Sequence, residues 1–316
     1  MHAAGLTDEQ RSHFVAIDMM EHGVAGQAAL AHSTSGWLAR YLQAVGATAP
    51  ASGIAASAGI SSEFLGGAGG LAIPDLGGGF GAPGGPQVGA VLAKLYGGAP
   101  GPVAAAGRTT LQAMTTIDAR ITRDAQNKPV AYAPENGANY EPGGDLGHAL
   151  RTVAQLAKMQ IGLQVATADI GGWDTHENQP GRFRNCVERL SQGISAFCAD
   201  MARFHDRLIL VTVSEFGRRL RSNRSNGTDH GRGNVMTVLG AGVQGGRFYG
   251  RWPGLTTDKL DEGVDLSVTT DYRQVLSEVL AAHGGKGAAL ASVFPDYTAP
   301  KPLGIFASAT AVAHPG

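Results

Sequence analysis

LQVATADI at residues 163–170 runs directly into GGWDTHENQ, and LILVTVS at 208–214 runs into EFGRRLRSNRSNGTDHGRGN. Each run is short, largely apolar, and closed by a polar loop. That pattern predicts strands buried on both faces. NVMTVLG at 234–240 reads as a third strand. Helical stretches are expected at 108–126, 145–160, 181–207 and 270–284. The last is expected to be capped by Thr269 or Thr270 and ended by Gly284. Continuous apolar strands separated by helices predict an α/β chain with a mostly parallel sheet covered on both faces. In such sheets the working residues sit on loops beyond the carboxyl ends of the strands.

Outward from these strands the chain changes character. Residues 1–45 read as helical, with Phe14, Val15 and Ile17 as the expected apolar face and a second short helix about Trp37, Leu38, Tyr41 and Leu42. Residues 46–107 are rich in Gly, Ala and Pro, with GGAGG, GGGFGAPGGP and GGAPGP between short apolar runs. They read as a weakly packed surface excursion. A phosphate-cradling loop needs a strand before the glycines and a helix after them, and no such context is read there.

Composition narrows the function classes. Lys+Arg total 25 against Asp+Glu 26, a formal charge of -1, which argues against a general nucleic-acid binder. Of 316 residues 47 are glycine and 43% are hydrophobic, enough for a sizeable core. The two cysteines, Cys186 and Cys198, fall in one expected helix about 18 Å apart at 1.5 Å per residue, too far to bridge. No run approaches a membrane span, and MHAAGLTDEQRSHF lacks the basic and apolar regions of a signal peptide.

The two polar loops concentrate the chemistry. Asp174 and His176 stand at i and i+2, on one side of an extended segment. A converging carboxylate and imidazole suit a divalent metal such as zinc or manganese. Asp229 and His230 are adjacent and converge only in a turn, for which NGTDHG supplies Asn-Gly. Glu215 sits one residue past a buried strand, where an unpaired carboxylate is costly. Each pair alone is more often a capped turn or surface loop; the metal reading rests on the two pairs together with Glu215, all on carboxyl-end loops of neighbouring strands. The loop arginines read either as a solvated surface or as an anion site, since guanidinium forks match phosphate or sulfate oxygens. Ser12, near the start of a helix, reads as a cap or as a hydroxyl whose anion the helix end would stabilise. Gly240-Ala-Gly242-Val-Gln-Gly245 matches GxGxxG after a strand, but RFYGRWPGL behind it cannot open the helix that carries a pyrophosphate, so a dinucleotide oxidoreductase is disfavoured. GxSxG, the P-loop and HExxH are absent.

RSHFVAIDMMEHG, GWLARYL, GGWDTHENQ, VTVSEFGRRLRSN, GTDHGRGN, TVLGAGVQGGRFYG and TDYRQVLSEVL occur in an order that resembles the "domain of unknown function 1501" family. That family is similar to sulfatases and, by resemblance, to the alkaline phosphatase superfamily. The resemblance implies a single domain over 1–316, a three-layer α/β/α sandwich with a mostly parallel sheet, carrying the excursion at 46–107. It implies a hydrolase of small-molecule or glycan sulfate or phosphate esters, with divalent ions (zinc, manganese or calcium) at the sheet's carboxyl edge. Ser12 takes the nucleophile's place, and Asp174, His176, Glu215, Asp229 and His230 the metal ligands' places. Arg218 and Arg11 are the implied oxyanion contacts. In-line attack by a metal-activated Ser12 and later release by water would complete the reaction.

Two departures stand beside it. The superfamily has Asp-His where this chain has Glu215-Phe216, so one metal would lose an imidazole. Family members also carry, ahead of the RSHF segment, a twin-arginine export signal and a first strand with an acidic ligand. The expectation is therefore an N-terminally shortened member, periplasmic or secreted by resemblance. The alternative is an exported binding or scaffold protein that keeps the fold without catalysis.

Overall fold

The apolar runs at 163–170, 208–214 and 234–240 do contain strands, but short ones that are half-buried or exposed instead of buried on both faces, and one of the pairings differs from expectation. The computed structural model describes residues 1–307 except 68, 78–79, 83 and 286–289, so Gly78, Gly79 and Pro83 of the GGGFGAPGGP stretch lie outside it. The chain opens with β1 (Ala4–Gly5), α1 (His13–Glu21), α2 (Gln27–His32) and α3 (Trp37–Ala44). Then come β2 (Gly53–Ala55), β3 (Gly70–Ala72), α4 (Pro86–Gly97), α5 (Pro102–Asp118), α6 (Gly144–Lys158) and β4 (Val165–Thr167). The remainder holds α7 (Gln179–Asp200), β5 (Ile209–Thr212), β6 (Thr237–Gly240), β7 (Thr270–Asp271) and α8 (Tyr272–His283). The protein is thus mixed α/β with small, mostly parallel sheets.

Two compact units divide these elements: residues 1–37, 171–186 and 203–316 form one, and 38–170 with 187–202 the other. In the first unit β1 pairs with β7 in parallel, and β5 pairs with β6 antiparallel, Ile209 opposite Gly240 and Thr212 opposite Thr237. The antiparallel pairing corrects the expectation that the apolar strands lie parallel. A parallel return needs a crossover, usually a helix. Residues 213–236 form a loop with no helix, so the chain doubles straight back. α8 is capped by Asp271, whose side chain accepts from the Arg273 amide at 2.8 Å, so neither threonine is the cap. Gly284 ends it at φ 137° as expected. In α1 the buried residues are Ala16, Met19 and Met20, while Phe14 is 86% exposed and Ile17 is exposed as well, the reverse of the face read from sequence. Residues 241–256 contain no helix, which leaves the GxGxxG match without one.

The second unit overturns the reading of 46–107. β2, from inside the glycine-rich stretch, is the central strand of a parallel sheet ordered β3-β2-β4, with Gly53 opposite both Gly70 and Val165. Ile54 and Ile73 are fully buried and join Ala113, Ile117, Ile121, Leu156 and Ile161 in one core. The glycines serve this packing: a Cβ on Gly53 or Gly70 would come within 2.6 Å of the Phe64 side chain that lies across both strands. The later portion of the stretch is largely exposed and mostly helical. α4 buries no residue, and α5 begins at Pro102, six residues before the expected start, because proline suits the first helical position. α6 matches its expected span closely, and Cys186 and Cys198 both lie in α7 and form no disulfide.

Candidate metal centre

Three segments of the first unit build the site: the approach to α1, the 173–179 loop, and the 214–232 loop. The last folds on itself, Arg219 N donating to Asp229 O at 3.0 Å and Gly231 N to Gly217 O at 2.8 Å, which sets Arg218 opposite His230. It also grips the 173–179 loop, since Thr228 N donates to Thr175 O at 3.0 Å and Gln179 N to Asn226 O at 2.9 Å. The turn is the Asn-Gly turn read from sequence, with Asn226 at φ 55°. At Gly227 the two backbones touch so closely that a Cβ would fall 2.1 Å from the His176 carbonyl carbon. Between Asp174 and His176, Thr175 is buried while its neighbours are exposed, as the i, i+2 reading requires.

Among the described residues, His13, Asp174 and His230 offer ligand atoms that all lie within 4.8 Å of one another. Asp174 is the hub. Its Oδ2 lies 3.3 Å from His13 Nε2, and its Oδ1 lies 2.9 Å from His230 Nε2 and 3.0 Å from His176 Nε2. The opposite nitrogen of each imidazole faces an oxygen: His13 Nδ1 meets Glu215 Oε1 at 2.6 Å, His230 Nδ1 meets the Arg11 carbonyl at 2.7 Å, and His176 Nδ1 meets Asp229 Oδ1 at 3.2 Å. Ionised carboxylates and carbonyls only accept, so in the neutral ring Nδ1 carries the proton and Nε2 presents a lone pair.

Those lone pairs meet acceptors. His176 Nε2 and His230 Nε2 stand 3.0 Å apart, and His13 Nε2 is buried without a hydrogen-bond partner. Neutral imidazoles whose Nε2 lone pairs face a carboxylate in this way repel it unless a cation lies between them. Zinc–nitrogen bonds of about 2.0–2.1 Å in a tetrahedron place neighbouring donors roughly 3.3 Å apart, the scale of spacing found here. The oxygens behind each ring follow the arrangement by which metal-binding histidines are oriented. The residues therefore fit a divalent cation. Asp174 is suited to it as well: burial pushes its carboxyl up, but the hydrogen bond from Arg218 foremost outweighs that and holds it at about 2.

The structure thus brings together Asp174, His176 and His230 from the sequence reading. Glu215 and Asp229 stand farther out, each behind a histidine instead of at the centre; Ser214 Oγ also donates to Glu215 at 3.2 Å. His13 is the residue the sequence reading missed. Its ring packs 4.8 Å from that of Phe216, so it supplies an imidazole beside the position where Phe216 offers none. The available signal was only its place next to Ser12. Asn223 was missed too: its Nδ2 donates to His176 O at 2.8 Å and Asp229 Oδ1 at 3.2 Å, while its own Oδ1 accepts from Ser225 N and Gly227 N.

Ser12 lies between Arg11, whose carbonyl holds His230, and His13. It is the N-cap residue of α1, yet its hydroxyl makes no cap bond; Gln10 Oε1 instead accepts from Ser12 N at 3.0 Å. The arginines are engaged within the protein. Arg11 pairs with the fully buried Asp265 at 2.6 Å and with Glu262 at 2.9 Å. Arg218 donates Nη1 to Asp174 Oδ1 at 2.6 Å, Nε to Thr228 Oγ1 at 3.1 Å, and Nη2 to Thr228 O.

The family model described as "Protein of unknown function (DUF1501)" matches residues 103–288, more than half of the chain. That span holds Asp174, His176, Glu215, Arg218, Asp229 and His230, whereas Arg11, Ser12 and His13 precede it. No curated protein and no solved structure matches the chain.

Proposed function

This chain belongs to the DUF1501 family, and from its site we propose that it is a divalent-metal-dependent hydrolase of phosphate or sulfate esters. The observation that carries the reading is the convergence of His13, His176 and His230 Nε2 on Asp174. Imidazole nitrogens favour zinc or manganese over calcium, which takes oxygen ligands. The three-layer α/β/α sandwich belongs to this proposal; its support is the set of small parallel sheets with helices between their strands.

His13, Asp174 and His230 would hold the cation, with His176 beside them. When bound, it would supply Lewis-acid polarisation of a phosphoryl or sulfuryl oxygen. Glu215, Asp229 and the Arg11 carbonyl keep the three Nδ1 protons in place and aim the Nε2 atoms. Ser12 Oγ would attack phosphorus or sulfur as the bond to the alcohol oxygen breaks, its proton leaving with the alcohol. Water would then hydrolyse the seryl ester and return a proton to Ser12. The α1 N-terminus favours the negative charge that develops on Ser12.

The test is metal content and turnover of an aryl phosphate and an aryl sulfate. Asp174→Ala and His230→Ala should abolish tight zinc or manganese uptake, and Ser12→Ala should keep the ion while losing turnover. Unchanged metal content in both ligand variants would falsify the assignment. A second reading, a binding or scaffold protein, draws on the engagement of both Arg11 and Arg218 with protein groups. Metal-loaded protein that binds phosphorylated or sulfated glycans without turnover selects it.

A further inference from the structure

We infer that Arg218 and the divalent cation compete for Asp174, so that loading the ion releases Arg218 Nη1 to hold an anion at the same site. This rests on the cation reading proposed above and adds an order of binding: cation first, anion second.

The geometry sets up the exchange. Asp174 Oδ1 is the atom on which His176 Nε2, His230 Nε2 and Arg218 Nη1 all converge, at 3.0, 2.9 and 2.6 Å. A dication held by the two imidazoles and Asp174 would stand next to the guanidinium, and like charges at such separations repel in a partly buried site. Arg218 thus serves as the internal cation that keeps Asp174 neutralised while no metal is bound. Its other two nitrogens are tied to Thr228, which is buried and fixed through its amide to Thr175. Displacement from Asp174 therefore frees one end of the fork and leaves the other leashed at the rim. Arg218 is partly accessible, at 18% of its side chain, so the released donor can reach a ligand entering from solvent. A guanidinium edge with an open N–H beside a metal is suited to one oxygen of a tetrahedral oxyanion.

Two measurements on the full chain decide it. The first is equilibrium binding of Zn²⁺ or Mn²⁺ to wild type and to Arg218→Met, each with and without inorganic phosphate. Removing the competitor should tighten ion binding by about tenfold, the scale of a partly exposed charge-assisted bond. In wild type, phosphate should tighten the ion by the same factor by which the ion tightens phosphate; in the variant that coupling should be lost. The second needs no variant and covers the case in which Arg218→Met fails to fold: phenylglyoxal labelling of wild type, read by peptide mass spectrometry. Arg218 should be protected in ion-free protein and labelled once the ion is bound. Weaker ion binding in Arg218→Met, or equal protection of Arg218 in both states, overturns the competition and leaves the proposed hydrolase standing. No saturable ion uptake by wild type overturns both.

Discussion

Glu215 Oε1 lies 2.6 Å from His13 Nδ1, although 202 positions separate the two residues in the chain. That contact ties the first helix to the end of β5 and fixes which nitrogen of His13 faces Asp174. A carboxylate behind a metal-binding histidine raises its basicity and sets its tautomer. Glu215→Gln keeps an oxygen for Nδ1 and removes the charge. It should weaken zinc or manganese binding by roughly 10- to 100-fold with little change in thermal stability. Competition against a chromophoric chelator measures this, and an unaltered affinity would remove Glu215 from the site.

Asn223 closes the turn that carries Asp229 and holds the His176 carbonyl. Its hydrogen bond first, and His176 second, keep the Asp229 carboxyl below the ordinary carboxylate range. Asn223→Ala should therefore raise the Asp229 pKa, followed by carboxyl NMR titration. It should also destabilise the first unit by about 1 kcal/mol, since the part-buried Gly227 N loses its acceptor.

Gly227 admits no side chain. A Cβ there would overlap His176 and lie 2.4 Å from Glu177 N, all backbone atoms that cannot step aside. Gly227→Ala should push the 173–179 loop away from the 214–232 loop and abolish ion uptake. A variant that binds zinc with wild-type affinity would show that the loops can separate without cost to the site.

In the second unit, Asp200 is fully buried and is met by Lys158 Nζ at 2.6 Å, the Glu135 amide at 2.6 Å, Tyr132 Oη at 2.7 Å and Tyr140 Oη at 2.8 Å. Burial alone would push its carboxyl up, but these bonds, Lys158 foremost, outweigh it and hold the pKa below the ordinary value. The native state thus binds this proton more weakly than the unfolded chain. The resulting stability is present above about pH 4 and is lost as pH falls through the lowered native pKa. Lys158→Met leaves the charge uncompensated and should cost about 3–5 kcal/mol in urea unfolding at neutral pH. Asp200→Asn should flatten the acid limb of stability against pH, and an unchanged limb would count against this account.

Some of this architecture is local and was therefore readable. The apolar runs, the alternation of Asp174, Thr175 and His176, the Asn226–Gly227 turn and the Gly284 stop are each set by period or backbone preference within a few residues. The burial of 51–56, Phe64, Ile73 and Leu76 was not readable in that way. Glycine-rich composition resembles a loop until Phe64 is seen lying across Gly53 and Gly70, a contact between three separate segments. The inverted face of α1 has the same origin, because helical period marks a stripe and packing decides which stripe is covered.

The amino-acid order by itself determined which residues are able to ligate an ion and placed Asp174, His176 and Asp229, His230 in two short loops. Only the tertiary structure decided that His13 joins them, that Glu215 and Asp229 stand behind histidines, and that Arg218 holds Asp174. The physical reason is range. Backbone preferences act over a turn or a strand, whereas donors from residues 13, 174 and 230 meet only after the three segments carrying them have packed against one another.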